Sequence, residues 1–203
     1  MPAPHDAERL AGPVLPGLVD AHSHAFQRAF AGLAERRDGA DDDFWSWRDR
    51  MYRVANAVTP ESLRAIAAHL YVELLRGGYT QVCEFHYLQH QADGTPYDDP
   101  LALGLALADA AADAGIGLTL LPVFYAHGGF GGAAVGAAQT RFLNDPDSYD
   151  ELLRASRRAV AGLDGAVVGI APHSLRAVTP HELRAILPLA EGEVFSDPAA
   201  AQA

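Results

Sequence analysis

The sequence contains no lysine, and all 15 of its basic residues are arginine. With so much alanine and glycine around them, that choice reflects a GC-rich genome rather than a chemical need. The 26 acidic residues outnumber the arginines, and a formal net charge of −11 argues against nucleic acid or an acidic membrane surface as partner. The one cysteine, Cys83, can form no internal disulfide. Its run "TQVCEF" reads as a buried strand and its thiol as a small core group. No apolar run is long enough to span a bilayer, so no membrane is expected as a partner. The opening "MPAPHDAERL" has no apolar segment of the kind a signal peptide needs, so the expected compartment is the cytoplasm.

What is present is an ordinary soluble composition, 49% hydrophobic and 20% charged over 203 residues, enough for one sizeable core or part of a larger one. Apolar strands are expected at 14–21 ("VLPGLVDA"), 79–87 ("YTQVCEFHY"), 117–126 ("GLTLLPVFYA") and 166–173 ("AVVGIAPH"). Between the first two lies a long segment, polar in "RRDGADDD" and aromatic and basic in "FWSWRDRMYRV", read as a loop on the active face. A helix starts at Thr59-Pro60-Glu61 and stops at Gly77-Gly78, with Leu63, Ile66, Ala67 and Leu70 at helical spacing. A second helix covers about 99–114 and ends at Gly115. The third opens on Ser148 and Glu151 spaced as a capping box. The fourth repeats the Thr-Pro-Glu start at Thr179, Pro180 and Glu182 and runs to about Ala190. Four successive strand–helix units without a hairpin signal indicate an α/β fold with a parallel sheet covered by helices, the first half of a (β/α)8 barrel. His22, His24, His86, Tyr87, His127 and His173 all fall at or just past strand ends, where such folds build their sites.

In "PGLVDAHSHAFQRAF", residues two apart on a strand point to one side, so His22 and His24 can converge on a metal ion. Glu84 and His86 alternate onto one face of the second strand; buried inside a barrel they either form a functional polar pair or merely satisfy each other, the second being the reading for Glu84 while both stay open for His86. The "GGFGG" loop, 128–132, lacks the Gly-Lys-Ser/Thr ending of a phosphate loop and reads better as a mobile loop over the site. Arg176, in the turn behind His173 in "PHSLR", is either a surface charge or a fork for a carboxylate. Trp45 and Trp47 of "FWSWR" are either simple packing, with Arg48 in solvent, or a substrate wall, the reading that two tryptophans so close in such a loop favour.

The stretches "HSHAFQR", "FWSWR", "YTQVCEFHYLQH", "LLPVFYAHGGFGG" and "IAPHSLRAVTPHEL" together resemble formimidoylglutamate deiminase, a member of the metal-dependent amidohydrolase superfamily that acts in histidine degradation. The resemblance covers roughly residues 11 to 190. It implies that His22 and His24 are zinc ligands, with one Zn2+ per site, and that Gln27 approaches the substrate beside the metal. It implies further that Arg48, Tyr87, His173 and Arg176 hold the substrate, N-formimino-L-glutamate, chiefly by its two carboxylates. The implied reaction is hydrolytic loss of ammonia to leave N-formyl-L-glutamate, and the implied assembly of the full-length family is a homodimer.

The same resemblance places a further zinc-binding histidine after a fifth strand, a catalytic histidine after a sixth and a ligating aspartate after an eighth. This sequence ends after its fourth helix, so no catalytic residue is expected within it. Glu191, Glu193 and Asp197 of the divergent tail 191–203 have no spacing that marks them as substitute ligands. Residues 1–13 are too short to supply the family's β-sandwich part, which leaves 14–190 as the barrel half. The expectation is a truncated or incompletely read copy that binds zinc weakly and does not turn over. The alternatives are another amidohydrolase-superfamily deaminase, or a non-catalytic half-barrel that associates with itself or with a second half.

Overall fold

The computed structural model describes residues 12–33 and 43–190. The expectations for residues 1–11 and for the tail with Glu191, Glu193 and Asp197 lie outside these residues, as does most of "RRDGADDD". Strand β1 (Leu18–Ser23) is followed by a 3-10 turn (Ala25–Phe30) and helices α1 (Phe44–Ala57) and α2 (Pro60–Arg76). Then come β2 (Tyr79–His86), α3 (Ala102–Ala114), β3 (Gly117–Phe124) and a second 3-10 turn (Ala137–Phe142). Helix α4 (Pro146–Val160), the short strands β4 (Ala166–Val168) and β5 (Ala171–Pro172) and helix α5 (Pro180–Ile186) complete the order. The sheet runs β1-β2-β3-β4 with β5 also on β3, and all of these pairs are parallel. Sequential parallel strands joined by helices are the building pattern of a (β/α)8 barrel, of which the described residues supply four consecutive units.

The first strand begins at Leu18, four residues later than its apolar run suggested, because Pro16 has no N–H to give a ladder. At Gly17 the start of β1 presses close on β2: a Cβ there would run into the Thr80 side chain. The fourth strand is interrupted at Gly169 and Ile170, yet the offset to β3 is the same on both sides of the break, and Gly169 N–H still donates to Leu120 O at 3.1 Å. It therefore acts as one strand. Helix α4 starts earlier than the Ser148–Glu151 reading: Asp145 is the N-cap, Pro146 takes the first helical position, and Ser148 closes the capping box.

The segment read as a loop at 44–57 is helix α1. Asp43 and Ser46 exchange bonds at its start, Ser46 N–H to Asp43 Oδ1 at 3.0 Å and Asp43 N–H to Ser46 Oγ at 3.1 Å. Met51, Ala55 and Val58 then bury one face at helical spacing.

Both faces of β2 are covered, and they differ in kind. Glu84 meets Tyr71 of α2, on the helix side, while Phe85 meets the rings of His22 and His24 on the other. Leu118, Leu120 and Phe124 of β3 are buried, and Phe124 lies 5.4 Å from the ring of Tyr149 of α4. At the two sides of the sheet, Leu18 and Val19 of β1 and Val167 of β4 are exposed, and neither strand has an outer partner among the described residues.

Candidate active site

The ladder between β1 and β2 ends at Ser23, paired with Glu84, and delivers two histidines at the strand end. Their Nε2 atoms are 3.1 Å apart. His24 Nδ1–H donates to Phe85 O at 2.9 Å, which makes its Nε2, facing His22 Nε2, the nitrogen that carries the lone pair. Burial, the largest influence, pushes the His24 pKa down to about 4, with His22 adding to the fall and the Phe85 carbonyl opposing it. His24 is thus a neutral imidazole near pH 7, as a metal ligand must be. Two nitrogens roughly 2.0–2.1 Å from a tetrahedral zinc sit about 3.3 Å from each other, so the pair fits one ion. It supplies two ligands only: among the described residues, no group of three or more His, Cys, Asp or Glu side chains could hold a metal.

Around this pair lies a cavity of about 250 Å³. It is lined by all seven residues to which the resemblance gives a metal or substrate role: His22, His24, Gln27, Arg48, Tyr87, His173 and Arg176. They come from separate elements. The 3-10 turn after β1 carries Gln27, whose Nε2 donates to Tyr87 Oη at 3.4 Å. Tyr87 follows β2 and its ring meets those of His24, Phe142 and His173 within 5.6 Å; burial pushes its phenol far up, so it stays a neutral donor. Arg48 projects from α1, its guanidinium carbon 5.4 Å from the centre of the Tyr52 ring. His173 follows β5, anchored by its N–H to Phe124 O, and its ring packs 4.5 Å from that of Tyr125. Burial first, then His24, Arg176 and His22, lower its pKa to about 3. Arg176 lies exposed in the turn before α5.

Some lining residues carried no role in the sequence reading. Tyr125 follows the alternation of Leu121 and Val123 and was legible in principle; its hydroxyl accepts from Gln139 Nε2 at 2.7 Å. Met51 and Tyr52 belong to the unrecognised helix, and Gln139 and Phe142 to an irregular stretch without a pattern. His127 also lines the cavity, its Nε2–H directed at the Glu182 carboxylate at 2.9 and 3.0 Å. Glu182 in turn accepts from Thr179 N–H and Oγ1–H, so the start of α5 fixes that imidazole. Trp47 is on the wall, and Trp45's side chain lies outside what is described.

The expected Glu84–His86 pair is corrected. Both side chains are on the helix side of β2, and neither bonds the other. Glu84 accepts from Ala25 N–H and Tyr71 Oη–H, and His86 Nε2 is buried without a hydrogen-bond partner. Burial, with the Arg141 charge adding to it, lowers the His86 pKa to about 3. The "GGFGG" loop folds on itself through Gly128 N–H to Ala133 O at 2.9 Å, borders the cavity through Gly128 and exposes Phe130.

Behind the cavity wall sits a residue the sequence did not advertise. Arg141 is fully buried, and its guanidinium donates to Ala55 O and Val58 O at the end of α1 and to His90 O in the loop after β2. A cation at a helix C-terminus meets the negative end of the helix dipole. Arg141 therefore ties together the elements that carry Arg48, Gln139 and Phe142.

Three comparisons with known proteins bear on this site. A model of the amidohydrolase family matches residues 14–193. The chain is 52% identical over 173 residues to the formimidoylglutamate deiminase of Pseudomonas aeruginosa, covering 85% of this chain and 38% of that protein. It is 29% identical over 176 residues to a 5-methylthioadenosine/S-adenosylhomocysteine deaminase of Desulfovibrio desulfuricans, 33% of whose length it spans. Among solved structures, an amidohydrolase of Brucella melitensis matches with a TM-score of 0.87 and 50% identity over 94% of this chain and 44% of that one. An atrazine chlorohydrolase of Arthrobacter aurescens complexed with zinc matches with a TM-score of 0.66 over 87% of this chain and 38% of that one; at 19% identity it speaks to the fold alone.

Proposed function

The chain belongs to the amidohydrolase family, and on that premise we propose that its cavity is the substrate-binding part of a zinc-dependent site that deiminates N-formimino-L-glutamate. The observation that carries the proposal is the convergence, in one cavity, of a close histidine pair with two guanidinium groups. The 52% identity to a formimidoylglutamate deiminase points to the same substrate.

His22 and His24 would hold the ion, and zinc, when bound, would supply Lewis acidity and an activated water. The chain's own residues bind and orient. Arg48 and Arg176 fork the two carboxylates, the charge-assisted contacts that give such pairs their strength. Tyr87, neutral and fixed by its ring contacts, offers a hydroxyl, and Gln27 an amide, beside the histidines. His173 stays neutral far below pH 7 and therefore donates or accepts without adding charge beside the metal. The net change is addition of water to the amidine carbon and departure of ammonia. By the family resemblance, the proton transfers belong to a histidine and an aspartate that are not among the residues named here. The domain division, the flexing of the "GGFGG" loop, a homodimeric assembly, a cytoplasmic setting and a place in histidine degradation are parts of the same proposal. Among the described residues, no helix is long and apolar enough to cross a membrane.

The test is titration of the zinc-loaded chain with N-formyl-L-glutamate, followed by the imidazole NMR signals of the site histidines. Binding that weakens at least tenfold when either carboxylate of the ligand is removed supports the proposal. Equal binding of a purine nucleoside, or indifference to both carboxylates, overturns it.

A further inference from the structure

We propose that Glu84 is a positioning residue for the histidine pair, tying the residues on both sides of His24, Ser23 through its hydroxyl and Ala25 through its N–H, to a single buried carboxylate. The inference rests on the reading of His22 and His24 as metal ligands. It adds a group on the opposite face of the sheet from the cavity.

The geometry is specific. The β1–β2 ladder is irregular between Asp20 and Ser23 and ends there, with Ser23 opposite Glu84. Beyond that point the chain turns into a 3-10 segment, and Ala25 N–H has no strand to bond. Glu84 Oε1 accepts that N–H at 2.7 Å. The Ser23 hydroxyl bonds the same carboxylate, and Tyr71 Oη of α2 donates to Oε2 at 3.3 Å. Thus the residues immediately before and after His24 are tied to one side chain. The next residue of β2, Phe85, accepts from His24 Nδ1 itself. Backbone and ring of His24 are both referenced to two consecutive residues of β2.

The cost argues for a purpose. Glu84 is 2% exposed, and the donors that meet it are neutral. A carboxylate taken out of water without a cation costs several kcal/mol, and an apolar side chain at this position would avoid that cost. Burial does push its pKa up to about 7, with the Ala25, Ser23 and Tyr71 donors pulling the other way. Either protonation state keeps an oxygen for Ala25 N–H, so the tether does not depend on the charge.

The experiment compares Glu84→Leu and Glu84→Gln with the unaltered chain, by Zn2+ competition against a chelator and by 15N imidazole spectra of the metal-free chain. The unaltered chain should show His24 as one Nδ1–H tautomer. Glu84→Leu should lower Zn2+ affinity about 10- to 100-fold, the range for lost outer-shell partners, and mix the His24 tautomers. Glu84→Gln, whose amide oxygen still accepts from Ala25, should stay within about threefold and keep the single tautomer. A leucine variant with unaltered affinity and tautomer overturns the proposal. Should that variant not fold, Ser23→Ala decides instead: a loss of about threefold or more with an unchanged melting temperature supports the tether, and unaltered affinity overturns it. If the unaltered chain binds no Zn2+, the metal reading fails by itself, while the metal-free tautomer comparison still supports or overturns the positioning role.

Discussion

Replacing Arg141 with methionine removes a fully buried guanidinium and leaves a side chain of similar length. Three carbonyls lose their donor: Ala55 O and Val58 O at the end of α1, and His90 O after β2. Each hydrogen bond from a charged donor is worth about 1.5–3 kcal/mol, and each carbonyl left buried and unpaired costs about 1–3 kcal/mol. Against this stands the relief of a desolvation penalty of several kcal/mol for the guanidinium. The balance favours a net loss of about 2–4 kcal/mol, because three buried carbonyls lose their donor and only one guanidinium is relieved of its burial. For a chain of this size that is a fall in melting temperature of roughly 5–15 °C. Arg141→Lys keeps the charge but not the planar fork, and should lose about half as much. Thermal unfolding followed by circular dichroism measures both. A methionine variant melting within 1 °C of the unaltered chain would refute the reasoning, since the buried carbonyls would then have no need of the arginine.

Stability should fall as the pH drops below about 6.5, the imidazole value in an unfolded chain. There the unfolded chain takes up protons that folded His24, His86 and His173 refuse until about pH 4, 3 and 3, at up to about 1.4 kcal/mol per pH unit for each. Glu84 acts oppositely, since the folded chain holds its proton up to about pH 7, so its share of stability is lost as pH rises from 4.5. With three groups against one, the melting temperature should be lower at pH 5 than at pH 7.5; a higher one would contradict the histidine burial. His24→Asn should abolish measurable Zn2+ binding, read by equilibrium dialysis, while His127→Asn leaves it unchanged. Gly128→Ala should destabilise the cavity rim, because the new Cβ would stand 2.5 Å from Ala134 O; limited proteolysis at 128–134 should accelerate, and unchanged cleavage would contradict the packing.

Much of this architecture is legible in the sequence for a physical reason. Strands of a parallel sheet are buried on both faces, so they read as apolar runs, and α2, α4 and α5 carry Thr-Pro or Asp-Pro starts. The site was legible where polar residues close such runs, as at His22, His24, Tyr87 and His173. The same double burial hid the sidedness of Glu84 and His86. With both faces of β2 apolar in company, nothing in the sequence says which looks into the cavity. Helix α1 was missed because its polar and aromatic content masked the spacing of Met51, Ala55 and Val58, although the Asp43–Ser46 cap was there to be read. At α4, Asp145 and Ser148 are both competent caps, and Pro146 decides in favour of the first. Arg141 left no trace at all: a lone arginine in an irregular stretch looks like any surface charge until its carbonyl partners are seen.

The most direct measurement of the central claim grafts residues 14–190 of this chain in place of the matching segment of the Pseudomonas aeruginosa deiminase and follows ammonia release from N-formimino-L-glutamate. The account predicts turnover by the chimera. Arg48→Met or Arg176→Met should raise KM at least tenfold, about 1.4 kcal/mol, with Zn2+ content unchanged. A folded, zinc-loaded chimera that releases no ammonia from this substrate, or whose KM ignores both arginines, would contradict the claim that this cavity is a dicarboxylate-binding deiminase site.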